Sequence, residues 1–130
     1  MLDMQEVFTK VCNHLLKQGK RCTAKNSKVC VYRNAKGRQC AVGCLIKDEY
    51  YSPALEGANV EAPPVRSALY YSGVNTADVN MRRLLGDLQL LHDKNYPKDW
   101  PARLRTVAGM YGLVLPPSLV ATAQVPPATA

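Results

Sequence analysis

Two stretches of this chain repeat apolar residues at helical spacing over several turns, and the segments around them carry too much Gly, Pro and Asn for either to run on. The first begins at Asp3, with Glu6 in capping-box spacing, and places Met4, Val7, Phe8, Val11, Cys12, Leu15 and Leu16 on one stripe before Gly19. The second spans about Thr76 to Asn95, with Met81, Leu84, Leu85, Leu88 and Leu91 facing inward and Arg82, Arg83, Asp87 and Lys94 outward. Shorter helices are expected in "APPVRSALYYSG", opened by Pro64 and ended by Gly73, and in "WPARLRTVAGMYG". The latter is capped by Asp99 and lined by Trp100, Leu104, Val107, Ala108 and Tyr111. "AVGCLIKDEYY" can also turn helical, and "SPALEG" adds a Ser cap, a Pro at the first helical position and a Gly stop.

One segment reads differently. "VCVYR" and "RQCAV" are β-prone runs flanking "NAKG", whose Asn start and Gly end suit a type I turn closed by a bulge. Hairpin register would set Cys40 across from Val31, or from Cys30 if Gly37 forms the bulge. The expected fold class is therefore α+β, a mainly helical single domain with one small antiparallel β-hairpin. The globular part is expected over residues 1–115, and residues 116–130, Pro/Ala/Thr-rich and uncharged, as a flexible tail. With 130 residues the chain can bury such a core unaided. No apolar run approaches a bilayer span and the N-terminus lacks signal-peptide features, so no membrane association and a cytoplasmic location are expected.

Charge is distributed unevenly. The net charge is +7, and no Asp or Glu occurs between Val7 and Lys47. That interval holds Lys17, Lys20, Arg21, Lys25, Lys28, Arg33, Lys36 and Arg38, which with Tyr32 form the candidate binding set. A one-sided positive field attracts an acidic protein surface or a nucleic acid. The plain alternative is a solubilising face. Basic residues interleaved with aromatics would suit bases and phosphates, and Tyr32 beside Arg33, with Lys36 and Arg38 at the turn, is the one such arrangement. The doublets Tyr50–Tyr51 and Tyr70–Tyr71 each put one ring outward, as a protein-binding patch or as the rim of the core.

The five cysteines are an odd number without a secretion signal, so free thiols are expected rather than a disulfide framework. Cys22, Cys30, Cys40 and Cys44 could in principle make a four-thiolate cage, but no CxxC or HxxxH spacing announces a metal, and none is assigned. The other reading makes Cys12, Cys30 and Cys44 small buried hydrophobes. A thiol enzyme needs a base in reach and a third group to orient it. The candidates are Cys40 or Cys44 with His92 and Asp93 or Asp99. A helix start after the hairpin would lower the thiol pKa. Only two histidines are present, and no nucleophile elbow, phosphate loop or HExxH motif occurs, so no catalytic residue and no cofactor is assigned. Asp48 and Glu49 are adjacent and would not face each other on a helix.

The run "CVYRNAKGRQCAVGCLIKDEYYSPALEG", followed by "LLGDLQLLHDKNYPKDW", resembles an uncharacterised group of small hypothetical proteins of phages, prophages and proteobacterial genomes. The likeness covers roughly Gln5 to Leu113. It brings no activity and no site residue with it. It implies a context, since accessory proteins of this size in such genomes often bind a host component, including defence systems, in the host cytoplasm. The expected function is a non-enzymatic binding module that captures and inhibits an acidic host or defence-system protein through its basic surface. Nucleic-acid binding and a small cysteine-dependent enzyme are the alternatives.

Overall fold

A computed structural model describes residues 1–123, with side chains through Val120. Five α-helices order it: α1 (Met4–Gln18), α2 (Pro63–Tyr71), α3 (Val79–Lys94), α4 (Trp100–Tyr111) and α5 (Pro117–Ala123). The start of α1 is the expected capping box. The Asp3 carboxylate accepts the Glu6 N–H at 2.8 Å and the Glu6 carboxylate accepts the Asp3 N–H at 2.9 Å. Gly19 ends the helix at φ 63°, its N–H donating to the Leu15 carbonyl. The predicted stripes are the buried ones: Val7, Phe8, Val11, Cys12 and Leu15 on α1, and Met81, Leu84, Leu85, Leu88 and Leu91 on α3. Helix α4 packs against both, and each large side chain buried at this junction contributes about 1.5–3 kcal/mol. No helix among the described residues is long and apolar enough to cross a membrane.

The α+β assignment is overturned. Among the described residues there is no sheet, only isolated bridges, Thr23 with Cys30 and Arg33 with Gln39 in antiparallel sense and Leu2 with Val74 in parallel. The fold is mainly helical. The turn at Asn34–Gly37 does form, with Gly37 at φ 79° and its N–H on the Asn34 carbonyl. What fails to form is the ladder, because side chains take the backbone groups a second strand would use. Glu56 accepts the N–H of Tyr32 through one carboxylate oxygen and that of Arg33 through the other, at 2.9 and 3.2 Å. From α1, the Gln18 side chain accepts the Gln39 N–H and donates to its carbonyl, and His14 Nε2 also meets that carbonyl at 2.8 Å. The register also differs. Cys40 donates to the Tyr32 carbonyl, while Val31 donates to the Cys22 carbonyl in a separate, earlier loop.

The stretch after this turn forms 3-10 turns at Gly43–Leu45, Asp48–Tyr50 and Pro53–Leu55 in place of the α-helix its composition allowed, with Ser52 capping the third. Asp99 precedes α4 but makes no side-chain cap. Beyond Leu115 the chain turns back onto the body: α5 lies on α1 and α4, Leu119 is buried, and Ser118 donates to Asn13. The rest of the expected tail, residues 124–130, lies outside the described residues.

Candidate functional site

The acid-free interval builds one surface from two successive tight turns. In the first, Ser27 donates to the Ala24 carbonyl at 3.1 Å, with Asn26 at φ 52° in the left-handed region that Asn tolerates best after Gly. In the second, Gly37 donates to the Asn34 carbonyl at 3.1 Å, and the Asn34 side-chain oxygen accepts the N–H groups of both Lys36 and Arg38. The Asn34 amide nitrogen donates to the Thr23 carbonyl at 3.0 Å and so fastens one turn to the other. A cleft of about 480 Å³ lies between them, walled by Lys25, Lys36 and Arg38 and by no carboxylate.

The predicted binding residues divide into two groups. Lys17, Lys20, Lys25, Lys28 and Lys36 are exposed, Arg38 is half-buried, and none of the six is in an ion pair among the described residues. Arg21, Tyr32 and Arg33 serve the fold. Tyr32 is 6 % exposed and its hydroxyl donates to the Ala58 carbonyl, so it offers no ring to a base. Arg33 pairs with Asp48 at 2.7 Å, donates to the Ile46 carbonyl and lies 4.6 Å over the Tyr51 ring. Arg21 donates to the Asn95 carbonyl and lies 5.1 Å over Tyr96. Tyr32 and Arg33, expected in the binding set, each satisfy groups of their own chain.

One thiol, that of Cys30, meets His92. Ligand atoms of Cys30, His92 and Asp93 lie within 4.8 Å of one another, the one such cluster among the described residues. The Cys22 backbone N–H donates to His92 Nε2 at 3.0 Å, so Nε2 is an acceptor and the ring proton sits on Nδ1, 2.7 Å from Asp93 Oδ1. Trp100 stacks on the ring at 5.5 Å. Both ring nitrogens are committed. A metal at Nδ1 would need a lone pair that this tautomer does not have, and a thiol would need Nε2, which the Cys22 amide occupies. The donor set does not fit a metal.

The thiols themselves are held protonated. Burial pushes Cys12, Cys22 and Cys44 up to about 12 and Cys30 to about 11, where the Asp93 carboxylate adds to the effect. Cys40 does sit at the start of the turn that leads into Gly43–Leu45, with the Gly43 amide 3.2 Å from its sulfur. Burial nevertheless outweighs the amides of Gly43 and Val42 and raises it well above the ordinary thiol value. Cys40, Cys44 and His92 therefore contribute packing and hydrogen bonds to the interior, Cys44 Sγ donating to the Ala41 carbonyl at 3.1 Å.

Two organising residues were missed in the sequence, Glu56 and Gln18; Asn34 was read as the opening residue of a turn, but not as the bond between the two turns. Comparison with family models, with curated proteins and with solved structures finds no match to this chain, so the functional argument rests on the chemistry above.

Proposed function

We propose that this chain is a non-enzymatic binding module that captures an acidic protein through the basic face formed by the end of α1 and the two turns. The observation that carries this reading is the set of exposed lysines, Lys17, Lys20, Lys25, Lys28 and Lys36, none of them in an ion pair among the described residues, with Lys25 and Lys36 lining one cleft. An excess of unpaired positive charge attracts an acidic partner and accelerates its encounter. The resemblance to small phage and prophage proteins supports a role as an accessory inhibitor of a host or defence protein in the host cytoplasm. A thiol enzyme fits poorly with five protonated thiols and a committed histidine. Nucleic-acid binding is disfavoured by the burial of Tyr32, the aromatic expected to stack on bases.

The test is partner capture by tagged full-length protein with Lys20, Lys25, Lys28 and Lys36 all changed to Glu. The variant should remain folded by circular dichroism and lose its acidic partner. Retention of the same partner at equal yield would remove the basic face from the argument. Steep salt-dependent retention on RNA by the unmodified protein, with no protein partner, would favour the nucleic-acid reading instead.

A further inference from the structure

We propose that the cleft between the two turns is a binding site for a phosphate-type oxyanion, taken as a phosphomonoester on the partner or as free phosphate. This rests on the basic face being the binding surface and assigns its centre. Lys25, Lys36 and Arg38 line the same cleft of about 480 Å³, and no carboxylate shares it.

The neutral groups point the same way. Four acceptors around the cleft are used inside the protein: the Asn34 side-chain oxygen takes the Lys36 and Arg38 amides, the Thr23 carbonyl takes the Asn34 amide nitrogen, the Ala24 carbonyl takes the Ser27 amide, and Ser27 Oγ takes the Val29 amide. Donors are left over. The backbone N–H groups of Lys25, Asn26 and Ala35 have no acceptor among the described residues, and the Ser27 hydroxyl proton has no acceptor there either. Free N–H and O–H donors beside three cations and no carboxylate can meet an oxyanion, and turns of this kind are recurrent anion cradles. The Asn34 bond to Thr23 fixes the spacing of the turns before any ligand arrives, which lowers the cost of ordering the site on binding.

The shape selects the anion. Three cations around one short cleft suit the dianionic, three-oxygen end of a phosphomonoester better than a single carboxylate. A phosphodiester strand would call for an extended groove with stacking rings, and no aromatic residue lines this cleft.

Amide shifts of isotopically labelled full-length protein, titrated with inorganic phosphate at constant ionic strength, test the assignment. Saturable shifts at Lys25, Asn26, Ala35 and Lys36 are expected, and Lys25→Gln with Lys36→Gln should weaken binding by about tenfold per substitution. A phosphoserine peptide that binds more tightly than phosphate, with its unphosphorylated form silent, identifies a partner-borne phosphate. Equal affinity of peptide and phosphate identifies the free anion. Either result supports the site. Shifts that grow linearly and match those in chloride overturn it, and so does tighter occupation of the same amides by an RNA oligonucleotide than by either phosphate ligand. The two readings fail separately. Linear shifts together with partner capture that the quadruple Glu variant abolishes leave the basic face standing without the oxyanion site. Capture that survives charge reversal removes the face, whatever phosphate does.

Discussion

At the scale of single residues, contact with a neighbouring backbone decides more than residue type does. Gly43 opens the short turn after Cys40, and a Cβ placed there would lie 2.1 Å from the Tyr32 carbonyl oxygen and 2.9 Å from its carbon. Both are backbone atoms, so neither can swing aside, and Gly43→Ala must push the Tyr32 segment off the turn. The expected cost is about 3–5 kcal/mol, a large share of the roughly 5–15 kcal/mol that holds a domain of this size together. Gly86 is the control. It is exposed in the middle of α3 with nothing within 4 Å of its would-be Cβ, so Gly86→Ala should add about 0.5–1 kcal/mol through helix propensity alone. Urea unfolding of the two variants should move in opposite directions, and a Gly43→Ala protein as stable as the parent would refute the close packing. Nothing in "AVGCLI" distinguishes Gly43 from an ordinary turn glycine, because the atom it must avoid belongs to a residue on the far side of a loop. His92 is a similar case. It was read as a candidate base, and neither its full burial nor the Cys22 amide that sets its tautomer carried a signal in the sequence.

At the scale of elements, the helices were readable because caps and apolar stripes act within a few residues of one another. The hairpin was misread for the opposite reason. Its turn is local and formed as expected, whereas the partners of its strands are Glu56, Gln18 and His14, scattered through the chain and carrying no pairing signal. Glu56 is the strongest of these substitutes for a strand, since it also accepts the Tyr51 hydroxyl at 2.7 Å. Glu56→Ala would leave the Tyr32 and Arg33 amides without their acceptor, at a cost of about 2–4 kcal/mol. Glu56→Gln keeps one carbonyl oxygen and should recover part of it. Hydrogen exchange separates this from general loosening: the Tyr32 and Arg33 amides should exchange faster in Glu56→Ala while protection in α3 changes little. Uniform acceleration across α3 would show that Glu56 holds the whole core and not this segment. The basic surface was legible from composition, yet which of its cations are free was not. Arg33 looks equivalent to Lys36 in sequence, and only the fold brings Asp48, Ile46 and Tyr51 around it.

At the scale of the whole molecule, the buried thiols couple stability to alkaline pH. Burial raises Cys12, Cys22 and Cys44 to about 12, Cys30 to about 11 and Cys40 well above the ordinary value, whereas in the unfolded chain each thiol ionises near about 8.5. Above that pH the unfolded chain has released protons that the folded chain still holds, so unfolding becomes more favourable as pH rises. The thiol contribution is complete below about pH 8.5 and is lost progressively toward the folded values of about 11 to 12. Tyr51 and Tyr111, also raised to about 12 by burial and by the carboxylates of Glu56 and Asp87, act in the same direction at the upper end of this window. The urea midpoint is expected to hold steady from about pH 7 to 8.5 and then fall steeply, while absorbance at 240 nm shows thiolate appearing only as the protein unfolds. Cys12→Ala removes one buried thiol and should flatten the fall. A midpoint that stays level to about pH 10.5, or a native thiolate signal near pH 8.5, would mean the thiols are not held protonated by the core, and would return Cys40 and Cys44 to consideration as nucleophiles.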